Sequence, residues 1–368
     1  MTDKLLTPLK LGRIELAHRV VMAPLTRMRA HWQGNVPTAM NAEYYAQRAT
    51  KAGLLIAEAT PVSWQGHGHS NVPGIHTAAQ IAGWRLVTDA VHAKGGFIYL
   101  QLWHTGRVSH STQQRDGGKP VAPSPIAAQG MTANAFGKRV PYETPRALRL
   151  DEMPGLVASW AQAAKNAIAA GFDGVEIHGA NGYLLEQFLQ SRSNIRTDRY
   201  GGSIANRCRL HLEISEAVVA AIGADRTGIR LSPYGIANDS GEADPMPLYS
   251  HLINELAKLN LAYLHLIEPR ASGTGQAEVF RAEQPSTAAL FRQTWPTALI
   301  DAGGYDAPGA IAAVAEGRTD AVAFGRFFIS NPDIVRRIAT GVEFTPYNRA
   351  TFYGGGAAGY TDYPTLSA

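Results

Sequence analysis

The sequence predicts an α/β chain of the (β/α)8 TIM-barrel class, and three observations carry that prediction. Eight short apolar runs recur along the chain, each followed by a segment with helical spacing. No two of the eight lie close enough in sequence to form a hairpin, so they must pair in parallel through helical crossovers. The first run leads into Pro24-Leu25-Thr26 instead of a Gly-x-Gly-x-x-Gly turn, which argues against the competing doubly wound open sheet. The 368 residues fit two domains or one large barrel, and a single domain over 1–368 is the expectation.

The elements follow in order. An N-terminal arm, Leu11-Gly12-Arg13-Ile14-Glu15-Leu16, alternates about a glycine and predicts a hairpin. The first barrel strand, 20–23, stops at Pro24. Residues 38–51 lack glycine and proline, and their apolar positions (Ala39, Met40, Ala42, Tyr45, Ala46, Ala49) predict a helix that leaves Glu43, Gln47 and Arg48 to solvent. A second strand, 54–57, precedes a helix over 78–94, which Gly95-Gly96 ends before the third strand, 97–102. The connection from 103 to 148 is rich in Gly, Pro and Ser and is far longer than an ordinary loop, as lids and insertions are. A helix over 153–170 leads into strand four, 174–178. After a polar, arginine-rich stretch from Asn181 to Arg209, helices over 205–222, 246–259, 287–294 and 308–316 alternate with strands 228–231, 263–267, 298–301 and 321–324. A helix over 332–339 and an irregular tail close the chain.

Composition excludes several chemistries. Lys plus Arg number 34 against 30 Asp plus Glu, with no basic block, so nucleic-acid binding is not expected. The single cysteine, Cys208, cannot form an intrachain disulfide, a Cys-rich zinc site or an iron–sulfur cluster. No segment approaches a membrane span and the N-terminus lacks a secretory pattern, so a cytoplasmic protein is expected.

Active sites of such barrels lie at the C-terminal ends of the strands. Here those ends read Pro24-Leu25-Thr26, Glu58-Ala59-Thr60, Gln101-Leu102-Trp103-His104, His178 with Asn181 and Tyr183, Arg230-Leu231-Ser232-Pro233, Glu268-Pro269-Arg270, Gly303-Gly304 and Gly325-Arg326. Polar residues that merely mark a strand's exit explain most of these, but not Gln101 and Arg230, which lie within or beside apolar runs. A buried arginine needs acceptors. The glycines after strands seven and eight read either as turn residues or as a close-approach phosphate site completed by the Arg326 guanidinium. One ligand would use all these groups: flavin mononucleotide, with its phosphate at strands seven and eight, its pyrimidine edge on the Gln101 amide, and a positive charge from Arg230 near N1. Thr26 could hydrogen-bond the O4–N5 edge.

With these residues assembled, the chain resembles the Old Yellow Enzyme family of FMN-dependent ene reductases from end to end. The matching blocks are Ala23 to Met28, Gln101 to Arg107, Gly174 to Tyr183, Asp198 to Ser203, Arg230 to Pro233 and Asp320 to Arg326, and the bacterial branch of pentaerythritol tetranitrate and N-ethylmaleimide reductases looks closest. The resemblance implies FMN contacts from Pro24, Leu25, Thr26, Ala59, Gln101, Arg230, Gly303, Gly325 and Arg326. It implies that His178 and Asn181 bind the oxygen of the substrate's activating group, that Tyr183 donates the proton, and that Trp103 and Tyr353 shape the pocket. Where relatives often carry a tyrosine facing the substrate, this chain has His69, in Gly66-His67-Gly68-His69, so the resemblance places His69 among the substrate-binding residues; as a His-x-His pair, His67 and His69 are read as solvated loop histidines, with no metal site.

The implied activity is ping-pong hydride transfer through flavin N5, from NADH or NADPH to enones, maleimides, nitroalkenes and nitro compounds, by a monomer or homodimer that binds neither membrane nor nucleic acid. A flavin-free lyase or isomerase for a phosphorylated substrate and a flavin-binding redox sensor are the competing readings. Related dienoyl-CoA reductases need an iron–sulfur cluster that one cysteine cannot hold.

Overall fold

The computed structural model describes residues 4–269 and 284–367. Its centre is a closed barrel of eight parallel strands: Val20–Met22 (β1), Leu54–Pro61 (β2), Phe97–Trp103 (β3), Gly174–His178 (β4), Thr227–Leu231 (β5), Tyr263–Ile267 (β6), Ala298–Ala302 (β7) and Ala321–Phe324 (β8). Each strand pairs with its sequence neighbours and β8 closes onto β1, the expected barrel.

Strand alternation sorts the side chains into two sets. Outward residues such as Leu100, Leu102, Val175, Ile177, Ile229, Leu231, Leu264 and Leu266 pack in the main core with the helices. Inward residues fill the barrel in layers. The lower layer is apolar: Val21, Leu54, Ile56, Tyr99 and Tyr263 join Leu11, Ile14 and Leu16 of the N-terminal hairpin, Leu9–Leu11 paired with Ile14–Leu16, which stoppers the barrel from below. Two glycines make room there. A Cβ on Gly174 would meet the Tyr99 ring at 2.5 Å, and one on Gly228 the Tyr263 ring at 2.2 Å. The layer above is polar, made by Gln101, Glu176, Arg230 and His265, with Glu176 in register with Gln101 and Gly228, and Arg230 with His178 and His265.

Helices Ala39–Arg48, Ala78–His92, Met153–Ala169, Ile204–Ile222, Pro245–Ala257, Thr287–Phe291 and Ala307–Ala315 lie close to the expected spans, several ending a few residues early. The sequence reading departs from the structure at five places. The expected solvent-facing Arg48 is wholly buried: its guanidinium donates to the carbonyls of Phe328, Ile329 and Tyr360 and lies 3.8 Å from the Tyr44 ring centroid. Helical periodicity counts a charge as exposed, but here the C-terminal tail covers that face. The stretch read as polar after Asn181 contains a fully buried helix, Leu184–Leu189. The long connection after β3, read only as a lid or insertion, carries an antiparallel hairpin, Met131–Ala133 with Arg139–Pro141, and a two-residue parallel pair, Val121–Ala122 with Arg146–Ala147. β2 runs on past Ala57 through an irregularity between Ala57 and Thr60. A short helix, Arg326–Ser330, follows β8 before Ile334–Thr340. Arg270 lies outside the described residues, among which no helix is long and apolar enough to cross a membrane.

Candidate active site

A cavity of about 740 Å³ opens at the C-terminal ends of the strands, and every residue assigned a site role from the sequence lines it. The volume suits a cofactor with a substrate beside it.

The β1 and β2 ends form one wall. Pro24, Leu25 and Thr26 leave β1, and the loop is tied to β2 where the Arg27 N–H donates to Glu58 Oε2 at 3.1 Å. Burial pushes the Glu58 carboxyl up to about 7. Ala59 lines the same wall.

At β7 and β8 the backbone is exposed for close approach. Gly303 and Gly304 have φ of 137° and 69°, values that side-chain-bearing residues rarely adopt. A Cβ at Gly325 would meet only the Leu25 Cδ2 at 3.4 Å, and at Gly304 only the Arg326 Nη2 at 4.0 Å. Internal packing does not require these glycines, so the open space belongs to the cavity. Arg326 is braced by Tyr347, whose hydroxyl accepts from Nη1 at 3.1 Å. Backbone N–H groups with a guanidinium fork make a phosphate cradle.

On the cavity floor, the Gln101 Nε2 donates to Glu176 Oε1 at 2.7 Å, and His265 Nδ1 lies 2.8 Å from Glu176 Oε2. Burial opposes Glu176 ionisation, but His265, Arg230 and Gln101 outweigh it and hold the carboxyl below its usual value. Arg230 is buried, and its Nε has no hydrogen-bond partner in the protein. An orphaned cationic donor facing a cavity is costly unless a ligand satisfies it. That donor, the adjacent amide and the glycine cradle together fit a flavin with a phosphate tail.

The opposite half is built on the turn after β4. Ala180 N–H donates to His178 Nδ1 at 3.3 Å, so the ring proton sits on Nε2. Burial, then the charge of Arg230 and the neighbouring His265, push the His178 pKa well below the usual value, which keeps the ring neutral. Asn181 and Gly182 both take left-handed φ, 59° and 73°. The turn is held from behind: Asn181 N–H donates to Ser232 Oγ at 2.9 Å, Ser232 Oγ and the Tyr249 hydroxyl donate to Glu186 Oε1, and Gly182 N–H donates to Glu186 Oε2. Burial pushes the Glu186 carboxyl up to about 7. Asn238 adds a bond from its Nδ2 to the Asn181 carbonyl at 2.8 Å. Asn181 Oδ1 is buried without a partner. Tyr183 stands edge-on to both Trp103, at 4.7 Å between centroids, and His178, at 5.1 Å. Burial, then the Tyr353 phenol, raise its pKa, so it holds its proton.

The reading of the two loop histidines as solvated is corrected, while His69 lies at the cavity where the resemblance placed it. His67 is 2% exposed, with Nε2 3.1 Å from His76 Nε2 and Nδ1 3.4 Å from Asn35 Nδ2. Burial, then His76 and His104, push it down to about 3. His69 packs on the Trp103 ring at 5.8 Å and lines the cavity, and burial pushes it down to about 4. Glycine-rich sequence suggests solvation, but the loop folds back over the barrel mouth.

Sequence reading missed Glu176, His265, Glu186, Ser232 and Asn238. For Glu176 a signal existed: in Val175-Glu176-Ile177-His178, period-two alternation puts Glu176 on the same inward face as His178. Glu186 had none, since its side-chain partners Ser232 and Tyr249 lie 46 and 63 residues away.

Residues 4–344 match the NADH:flavin oxidoreductase / NADH oxidase family. The chain belongs to that family. Its resemblance to Old Yellow Enzyme therefore holds at family level, and the enzyme is an FMN-dependent flavin oxidoreductase with a nicotinamide hydride donor. It is 47% identical over 365 residues to 12-oxophytodienoate reductase 1 of Oryza sativa subsp. japonica, covering 98% of this chain and 93% of the relative. It is 48% identical over 368 residues to chanoclavine-I aldehyde reductase of Penicillium roqueforti, covering 98% and 96%. The solved structure of morphinone reductase in complex with tetrahydroNAD superposes with a TM-score of 0.91 at 46% identity, covering 99% of this chain and 98% of that one.

Proposed function

We propose that this flavin oxidoreductase reduces activated C=C bonds, in enones, maleimides and nitroalkenes, and accepts nitro compounds, with His178 and Asn181 as the oxygen-binding pair and Tyr183 as the acid. The observation that carries the reading is the neutral His178 ring, its Nε2 proton fixed by the Ala180 N–H on Nδ1, facing the same cavity as Tyr183 and the orphaned Arg230.

FMN, when bound, would supply the redox chemistry that links a nicotinamide hydride donor to the alkene. Gln101 and Arg230 would hold its pyrimidine edge, Pro24, Leu25, Thr26 and Ala59 its flank, and Gly303, Gly325 and Arg326 its phosphate. His178 Nε2–H and the Asn181 amide donate to the carbonyl or nitro oxygen, and these bonds strengthen as that oxygen gains charge. Tyr183 keeps a proton at its hydroxyl until the α-carbon becomes basic enough to take it. Trp103 and His69 wall the substrate from water, and Tyr353, 41% exposed, stands at the mouth.

The protein purified as expressed should be yellow, bleach on anaerobic titration with NADPH, and regain its colour with cyclohexenone. A colourless protein would support the lyase or isomerase instead, and bleaching without reoxidation by any activated alkene would support a redox sensor.

The pH dependence separates a neutral from a charged histidine. A group whose pKa lies well below 6.5 has already lost its proton when pH rises through that value. The rate of alkene reduction by the reduced enzyme should therefore be flat between about pH 6 and 8. A break near 6.5 in that half-reaction would show a titrating His178.

Finer placement beside the pentaerythritol tetranitrate and N-ethylmaleimide reductases is supported by the sequence blocks, while the named relatives are plant and fungal reductases and morphinone reductase. We propose further that the chain acts as a single FMN-binding domain, cytoplasmic, and a monomer or homodimer; the family match over residues 4–344 supports the first of these.

A further inference from the structure

We propose that Glu176 is a positioning residue that sets the reduction potential of the flavin, by orienting the Gln101 amide and by offsetting the charge of Arg230. The inference rests on the reading that FMN lies over Gln101 and Arg230.

Glu176 is wholly buried inside the barrel, one step below His178 on β4. Both carboxylate oxygens are engaged: Oε1 by the Gln101 amide at 2.7 Å and Oε2 by His265 Nδ1 at 2.8 Å. Its strand neighbour on β5 is Gly228, which has no side chain, and two residues on is Arg230. The polar layer thus holds one anion, one cation and, because burial pushes the His265 pKa down, a neutral imidazole.

A buried carboxylate is costly to place in a barrel interior. Stability alone is served as well by an apolar residue of similar size, so the charge has another use. Two consequences reach the cavity. With Nε2 committed to the carboxylate, Gln101 can turn only its oxygen and its second N–H toward a ligand. Facing a carboxylate, Arg230 stabilises a negative charge on the ligand less than a lone guanidinium would. A two-electron reduction that leaves the flavin anionic is favoured by net positive charge at this edge, so the Glu176 charge lowers the potential.

The test is the reduction potential of the FMN-loaded protein, measured by dye equilibration, with FMN content and thermal unfolding recorded for each variant. Glu176→Gln, which removes the charge and keeps the shape, should shift the reduced-to-oxidised ratio at least tenfold toward reduced, about 30 mV for a two-electron couple. Glu176→Asp, which restores the charge, should return the ratio to within threefold of the native protein. If Glu176→Gln does not fold, His265→Leu serves: it removes a hydrogen bond that helps hold the carboxyl ionised and should shift the ratio in the same direction, toward reduced. An unchanged potential in a variant that binds FMN fully overturns the proposal. Native protein that binds no FMN would instead defeat the functional reading, before any variant is compared.

Discussion

Tyr183→Phe should slow the reduction of cyclohexenone by about 10²- to 10⁴-fold, the range that a positioned proton donor contributes. FMN binding and bleaching by NADPH should be unchanged, because the lost hydroxyl takes no part in that half-reaction. The geometry supports a clean substitution. The Tyr183 ring is fixed by edge contacts with Trp103 and His178, which phenylalanine keeps. The backbone turn that places it is held through the Asn181 and Gly182 N–H groups by Ser232 and Glu186, none of which touches the phenol oxygen. Rapid-mixing absorbance of the pre-reduced enzyme against an enone measures the step directly. An unchanged rate would exclude Tyr183 as the main proton donor.

His178→Ala combined with Asn181→Ala should lower kcat/KM for enones by at least the loss of one oxyanion donor, about 10²- to 10³-fold. The two losses will not simply multiply, since both side chains bind one oxygen. The native enzyme should bind phenols and the same variant should lose that affinity, because a phenolate presents its oxygen as the substrate does. Titration with a substituted phenol, followed by the long-wavelength charge-transfer absorbance, gives a readout independent of turnover. Full absorbance in the double variant would remove the pair from the oxygen-binding role. His178 faces the interior from a strand end, so its removal leaves a void beside Trp103, about 6.3 Å away between ring centroids. Comparable FMN content in the variant separates that packing loss from the lost hydrogen bonds.

Glu186 and Glu176 show why some of the site was hidden. Both are acids in runs that read as apolar or polar by local pattern, and each takes its meaning from partners on other elements: Ser232 and Tyr249 for Glu186, Gln101 and His265 for Glu176. The same reason misplaced Arg48, which periodicity sent to solvent and the carbonyls of Phe328, Ile329 and Tyr360 bring inside. His67 and His69, with no carboxylate or cysteine near them in sequence, read as solvated loop histidines, yet they pack on His76 and Trp103.

The barrel itself was written in local pattern. Eight apolar runs separated by helical spacing leave few ways to bury both faces of a parallel sheet, and closure is the one the structure adopts. The position of the site followed from that closure, since strand ends of a barrel converge whatever their separation in sequence. His178, Asn181, Tyr183, Gln101, Arg230 and the β7 and β8 glycines were therefore legible by residue type and place. What only the tertiary structure decided is the state in which those groups are held. The tautomer of His178, the left-handed turn at Asn181, the commitment of the Gln101 amide and the burial of Arg230 all depend on hydrogen bonds and packing between distant elements, where charge interactions are strong and water does not screen them.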